Sequence, residues 1–592
     1  MTIEEIILSK HTDDKEQISA IFSEEKRIIL NAPAGYGKTQ TLDSKIAYLI
    51  AADKLPRPKM ILALTFSVNA AYKIKIAVAN ELPKSFANEL RSPVAVKRRV
   101  IATNYHGFCR GVLRKYGYLL TSEIKRINDL TPIDDKTFSK MLRDAHQNME
   151  AEKVDALDTA INNANKDYVM SNYIDYLGLV EKYLLVNGVI TFNAIILFCI
   201  TLFEKYDSLL KFYRCLFPYI IVDEFQDTNI LGSVLLDMLI DFNTRLFFTG
   251  DHLQRIYGFI GAIPNIMEKA TGLYGMKYME LKTNYRFKDK PQLLLLDKNL
   301  RACAENISNP DIKEPATIDL VETANQIEEA KAVSKLINKT LVLNSQNKIA
   351  VLVQQRSQNI ENIMEFLGEE QINYFYALYT EDDIEYKKFH KISLEYFLRI
   401  SGTTLNKRRC AEFISSLSNI EGEFSDIRLY KSLIQLLSKF IEKIFVDYKS
   451  ISNEDKVELI RDVLENNALK QYLIAIDSAI VVSTVHAAKG LEWDYVILPD
   501  MEQYSFPNWY GLCNTCAKPL HCELNWGFID RNNEFGKKFY DELSVFYVAA
   551  TRARSGIYFT YSKINYKSAK MNCSCLLTLP GIIINNLSSG EL

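Results

Sequence analysis

The sequence predicts an α/β protein with two parallel-sheet domains, each interrupted by a mostly helical insertion. Three observations carry this. Short runs rich in Ile, Val, Leu and Phe recur at 27–31, 59–66, 219–222, 246–249, 348–353, 479–483, 495–498 and 556–561. Unbroken apolar runs of strand length suit strands covered on both faces, as in parallel sheets. Helix-like stretches separate the runs, which is the alternation of α/β folds. The runs also fall into two groups, 20–66 with 219–281 and 315–375 with 479–561, with strand-poor stretches at 85–215 and 376–475. The expected layout is therefore 1–84 and 216–290 for the first domain, with 85–215 as its helical insertion. The second domain takes 291–375 and 476–592, with 376–475 as a shortened helical insertion.

Composition excludes several classes. Among 592 residues, 48% are hydrophobic and 24% charged, so the chain is neither disordered nor collagen-like. Lys plus Arg is 71 against 73 for Asp plus Glu, so a polyanion partner needs a local basic groove on a near-neutral body. The longest apolar runs, such as 194–203, fall short of the roughly 20 residues of a membrane span. The polar N-terminus lacks a signal core, and the ten cysteines are scattered, so a cytoplasmic protein with reduced thiols is expected.

Two motifs carry phosphate chemistry. Ala32-Pro-Ala34-Gly35-Tyr-Gly37-Lys38-Thr39 follows a strand and opens a helix, the context of a variant P-loop with Ala32 in place of the first glycine. Backbone N–H groups of Ala34, Gly35 and Gly37 can close around phosphate oxygens, and the helix N-terminus favours the anion. Lys38 then reaches the terminal phosphates, and the Thr39 hydroxyl ligates Mg²⁺. A glycine turn before a core helix is the competing reading. Downstream, Asp223 ends a buried strand, where a carboxylate is unfavourable unless it holds a metal or its water, and Glu224 beside it can polarise an attacking water. Together the two motifs indicate a nucleoside triphosphatase.

Further blocks follow in order: Thr65-Phe66-Ser67, Tyr105-His106-Gly107-Phe108-Cys109, 250–262 with Gln254, Tyr257 and Phe259, Leu281-Lys282-Thr283-Asn284-Tyr285-Arg286, 483–494 with His486 and Glu492, and Tyr547-Val548-Ala549-Ala550-Thr551-Arg552-Ala553. This series resembles the superfamily 1 helicases of the UvrD, Rep and PcrA group, from about Glu16 to about Arg554. The resemblance implies two RecA-like parallel-sheet motor domains, each with a mostly helical insertion, binding ATP and Mg²⁺ between them. It implies Lys38, Glu224, Gln254, Arg286 and Arg552 as catalytic residues, with Gln254 sensing the terminal phosphate and the two arginines stabilising transition-state charge. Gln17 would read adenine, Tyr285 stack on it, Glu492 lie near the ribose, and Gln40 stand where the family commonly has Arg. Thr39 and Asp223 would hold Mg²⁺. Phe66, His106, Phe192, Tyr257, Phe259 and His486 would line a path for single-stranded DNA, where each stacked base contributes roughly 1–3 kcal/mol.

The resemblance also implies translocation in the 3′ to 5′ direction, with single-stranded or partly duplex DNA as partner. This chain departs from the family at Phe259-Ile260-Gly261-Ala262, where Trp-Arg-Gly-Ala is usual, and at Ser67-Val68-Asn69, where Thr-Asn-Lys is usual. Too few residues follow Arg554 here for a fused nuclease domain. Compact members of the group stand beside nucleases in anti-phage systems such as Gabija, so a DNA-end sensor governing a partner nuclease is the alternative function. Outside the series, Cys513, Cys516, His521 and Cys522 have the paired spacing of a zinc knuckle, against free cysteines in a variable loop. The basic runs 97–99 and 407–409 are either phosphate contacts or solvated faces.

Overall fold

In a computed structural model of the chain, the apolar runs become two parallel sheets. The structure describes residues 2–12, 14–52, 54–65, 68–81, 99–258, 261–380, 383–401, 405–447, 452–516, 526 and 529–588. The strands are β1 Arg27–Asn31, β2 Ile61–Thr65, β3 Val100–Asn104, β4 Thr131–Ile133, β5 Val189–Thr191, β6 Tyr219–Val222, β7 Arg245–Gly250, β8 Lys277–Glu280, β9 Ala316–Thr323, β10 Ile349–Val353, β11 Phe375–Ala377, β12 Ile480–Thr484, β13 Trp493–Leu498, β14 Ala553–Ser562 and β15 Ile582–Asn586. The first sheet runs β3-β2-β6-β7-β1-β8 and the second β11-β12-β10-β13-β14-β9-β15, while β4 and β5 pair separately. Among the described residues no helix is long and apolar enough to cross a membrane.

The chain divides into two units, Met1–Thr283 with Tyr448–Ala468, and Asn284–Asp447 with Leu469–Leu592. In the first, strand alternation sends side chains to two cores. Ile29, Leu62, Leu64, Val222 and Phe248 join Phe108, Val112, Leu197 and Phe198 on one face. Ile28, Leu30, Ala63, Ile221 and Phe247 join Ile21, Leu42 and Ile46 on the other. The helix Phe192–Lys205, expected in the insertion, thus shares a core with the sheet.

Three details differ from the expected layout: residues 284–290, expected in the first domain, belong to the second unit, and two further departures concern β3 and residues 448–468. β3 falls within 85–215, yet it pairs with β2 as an edge strand of the first sheet. Its polar end, Ala102-Thr103-Asn104, hides it from an apolar-run search. Residues 448–468, expected in the second insertion, belong to the first unit. That leaves three described α-helices, Ile384–Ser401, Lys407–Ser418 and Ile427–Asp447, in the 376–475 stretch of the second unit.

The two sheets repeat one topology that no sequence repeat announces. With strands ranked in chain order and β11 set aside, both run third, second, fourth, fifth, first, sixth.

Candidate nucleotide site and nucleic-acid path

In the first sheet β6, β7 and β1 are neighbours, so their C-terminal ends bring three motifs to one corner. Ligands of open parallel sheets gather at such an edge. β1 passes into residues 32–37, where Gly35 and Gly37 both have φ +82°, and the helix Lys38–Ala51 begins. Only glycine takes this left-handed backbone without strain. Ala32 N–H donates to Gly250 O at 2.8 Å, tying the loop to β7. A Cβ on Gly37 would lie 2.3 Å from Gln17 Nε2, so the loop also needs glycine for space.

β6 supplies the acids. Asp223 N–H continues the ladder to Leu64 O at 2.9 Å. The chain then bends, with Glu224 at φ +53°, a conformation that few non-glycine residues adopt and that here returns its carboxylate toward the loop. Lys38 Nζ donates to Glu224 Oε1 and lies 3.6 Å from Asp223 Oδ1. Burial disfavours the Lys38 ammonium, but Glu224, Asp223 and Asp251 outweigh it and hold its pKa above the ordinary lysine value. Asp223 Oδ1 also accepts from Thr249 Oγ1 at 2.8 Å and Glu224 N–H at 2.9 Å. Its Oδ2 takes part in none of these, which leaves a carboxylate oxygen for a cation. Thr39 and Gln40 are exposed in the first helical turn.

Gln254 joins through a relay that the sequence reading missed. Gln226 Nε2 donates to Glu224 Oε2 at 2.5 Å, and Gln226 Oε1 accepts from Asp251 N–H at 3.1 Å. Asp251 Oδ2 in turn accepts from Gln254 Nε2 at 2.8 Å. An acid directly after the buried strand β7 was the available signal for Asp251. Gln17 is buried and anchored, with its Nε2 donating to Tyr36 O at 3.2 Å and its Oε1 facing His11 Nδ1. Because that oxygen only accepts, the His11 proton is assigned to Nδ1, leaving Nε2 to accept from Ser44 Oγ at 2.9 Å.

The second unit gathers Arg286, Glu492, Thr551 and Arg554 at the start of β13 and β14. Arg286 donates to Glu492 Oε1 and to Thr551 O, and Arg554 Nε donates to Glu492 Oε2 at 2.9 Å. Burial opposes the Glu492 charge, but Arg286, Arg554 and Arg552 hold the carboxyl below its ordinary range. Arg552 is buried, with donors directed to Val548 O, Leu491 O and Thr551 Oγ1 at 2.8, 3.2 and 3.1 Å. Tyr285 is exposed.

Of the expected DNA residues, the structure brings His106 and Phe192 together, edge to face at 5.7 Å. Asn104 and Thr191 cap their helices, accepting from Gly107 and Ala194 N–H, which fixes where each ring begins. Burial, then the charge of Arg110, pushes the His106 imidazole down to about 4. Tyr257 is half-buried in the first unit, and His486 is half-buried just past β12 in the second. Phe66 and Phe259 lie outside the described residues.

The cysteine constellation does not form a metal site among the described residues, where no three His, Cys, Asp or Glu side chains gather to hold an ion. Cys513 is buried and its thiol donates to Pro507 O at 3.2 Å. Cys516 is half-buried, and His521 and Cys522 lie outside the described residues. Arg99 of the first basic run is no phosphate contact, since it is buried and donates to Leu55 O. Arg408 of the second pairs with Glu412 at 3.0 Å on an exposed face.

A parallel sheet with a glycine loop, a half-buried lysine and two strand-end carboxylates defines a P-loop nucleotide hydrolase. Comparison with known proteins narrows the class. The UvrD/REP helicase N-terminal domain matches residues 13–275, and the UvrD-like helicase C-terminal domain matches 385–564. The chain belongs to the UvrD-like helicases. It is 25% identical to DNA helicase II of Rickettsia typhi, over 98% of this chain and 95% of that protein. It is 24% identical to ATP-dependent DNA helicase PcrA of Bacillus subtilis, over 97% and 86%. PcrA of Staphylococcus epidermidis is 25% identical, over 92% and 83%.

Proposed function

We propose that the chain is an ATP-driven motor that translocates 3′ to 5′ on single-stranded DNA and can part a duplex ahead of it. The observation that carries the reading is Lys38, half-buried behind two left-handed glycines and charge-paired with Glu224 and Asp223. A terminal phosphate reaching Lys38 competes with Glu224 for the ammonium and releases that carboxylate to orient the attacking water. Thr39 and Asp223 offer the hard oxygens that Mg²⁺ prefers, and the ion would neutralise phosphate charge there. Gln254, tied to Glu224 through Asp251 and Gln226, would report whether that phosphate is present. Gln17 and Tyr285 would contact the base, Glu492 the ribose, and Arg286 and Arg552 the charge on the transferring phosphoryl group. Arg552 must then leave its carbonyl partners to act. His106, Phe192, Tyr257, Phe259, Phe66 and His486 would offer ring faces and edges to successive bases.

The test is ATP hydrolysis with and without a single-stranded oligonucleotide, alongside strand translocation with either end blocked. Stimulation by DNA, movement stopped only by a block toward the 5′ end, and loss of turnover in Lys38→Ala are expected. Turnover near wild type in Lys38→Ala would sink the motor reading. A second reading, an ATP-hydrolysing DNA-end sensor that governs a nuclease, draws support from the small helical insertion left in the second unit. It predicts stimulated turnover with no displacement of a paired strand, and altered cleavage when a nuclease is added.

A further inference from the structure

The first unit contains one helix delivered from far along the chain. Asn453–Glu465, capped by Ser452, buries Leu459, Ile460, Val463 and Leu464. Asp455 O accepts from the Tyr72 hydroxyl at 3.5 Å, and Arg461 donates to Asn128 O. Its last residue, Glu465, is buried and accepts from Arg110 Nη1 at 2.6 Å and from Arg461 Nε at 2.5 Å. Arg110 stands one turn after His106 on the helix Tyr105–Tyr116, so the two side chains share a face. The Phe192 ring abuts His106. A carboxylate thus grips a guanidinium one turn from the first of two rings of the proposed nucleic-acid path, from a helix that sequence order assigns to the second insertion.

We propose that Glu465 is a positioning residue for that path: it fixes Arg110, and through Arg110 the His106–Phe192 pair. An arginine with only 12% of its side chain exposed needs its counter-charge, because an ion largely removed from water and left unpaired is strongly disfavoured. With Glu465 neutral, Arg110 turns toward solvent or toward other acceptors, and His106 loses the fixed cation one turn away on its own helix face. The inference rests on the assignment of His106 and Phe192 to DNA.

The experiment measures binding of a fluorescent oligo-dT and DNA-stimulated ATP hydrolysis. Glu465→Gln should raise the half-stimulating DNA concentration about 2- to 30-fold, the range of a mutation acting through a neighbour, while turnover without DNA stays unchanged. In the His106→Ala background the same change should add nothing further. Unchanged DNA affinity in Glu465→Gln, or an effect fully additive with His106→Ala, overturns the positioning role. If His106→Ala and Phe192→Ala both bind DNA normally, the path assignment fails instead. Should Glu465→Gln not fold, Arg110→Lys keeps the charge, loses the fork, and must give the same rise for the proposal to stand.

Discussion

Where β1 leaves the first sheet, residues 32–37 form a glycine-rich loop before the helix begins with Lys38. Where β9 leaves the second, only Ala324 and Asn325 precede the helix Gln326–Leu343. β1 and β9 hold the same place in the shared strand order, as do β6 and β13. In the first unit Lys38 therefore meets Asp223 and Glu224 just beyond β6. In the second, the corresponding corner brings Glu329 to Asp500 just beyond β13. Asp500 N–H donates to Glu329 Oε1 at 3.1 Å, and Asn359 Nδ2 donates to Glu329 at 2.8 Å and Asp500 at 2.5 Å. Glu502 lies close by, accepting from Ser562 N–H and Oγ at 2.9 and 3.0 Å. One architecture thus carries a cation with a phosphate cradle at one corner and buried acids at the other. The second corner would repel a phosphate. Topology alone confers no chemistry, which lives in the residues at the strand ends.

The largest expected effect falls on Arg552. If Arg552 stabilises charge on the transferring phosphoryl group as proposed, Arg552→Ala should lower turnover by about 10³–10⁵-fold in steady-state hydrolysis with ATP binding retained. A loss below tenfold would confine Arg552 to packing. Next, Glu224→Gln keeps the shape and removes the carboxylate proposed to orient the attacking water. Turnover should fall about 10²–10⁴-fold while ATP and DNA still bind. Equal loss of ATP binding would make Glu224 a structural counter-ion for Lys38. Gly37→Ala probes the loop itself. The left-handed backbone with a Cβ costs about 1–2 kcal/mol, so ATP affinity should weaken about 5- to 30-fold by titration calorimetry, before counting the clash with Gln17. An unchanged affinity would show that the loop tolerates other turns.

The smallest effect is on stability. Burial, then Asp500 and Glu502, raises the Glu329 carboxyl to about 8, and burial with Asp500 raises Glu502 to about 7. These groups bind a proton more tightly folded than unfolded. Their stabilisation is complete below the ordinary carboxyl value near 4.5 and is lost as pH rises through 7 and 8. Lys38, raised above 10.5, keeps its contribution across that window and loses it only at higher pH. The denaturant midpoint of the second unit should therefore fall between pH 5 and 8, and Glu329→Gln should flatten that slope. A flat wild-type profile would remove the contrast between the corners.

Residues alone disclosed the first corner. Gly35, Gly37, Lys38, Asp223 and Glu224 are legible because each answers a local demand: a left-handed turn, a helix start, a charge at the end of an apolar strand. β1, β2, β6 and β7 are legible for a similar reason, as central strands buried on both faces. β8, at the sheet edge, is mostly exposed and carries no such run. Tertiary structure decided what depends on distant partners. It set β3 beside β2, moved 448–468 to the first unit, linked Gln254 to Glu224 through Asp251 and Gln226, and buried Arg552 among carbonyls. It alone exposed the repeated strand order, because the two sheets share backbone hydrogen bonding but no residue pattern. A backbone ladder asks only for extended apolar chain, so many sequences satisfy it. A phosphate cradle asks for particular atoms, and those remain readable in the sequence.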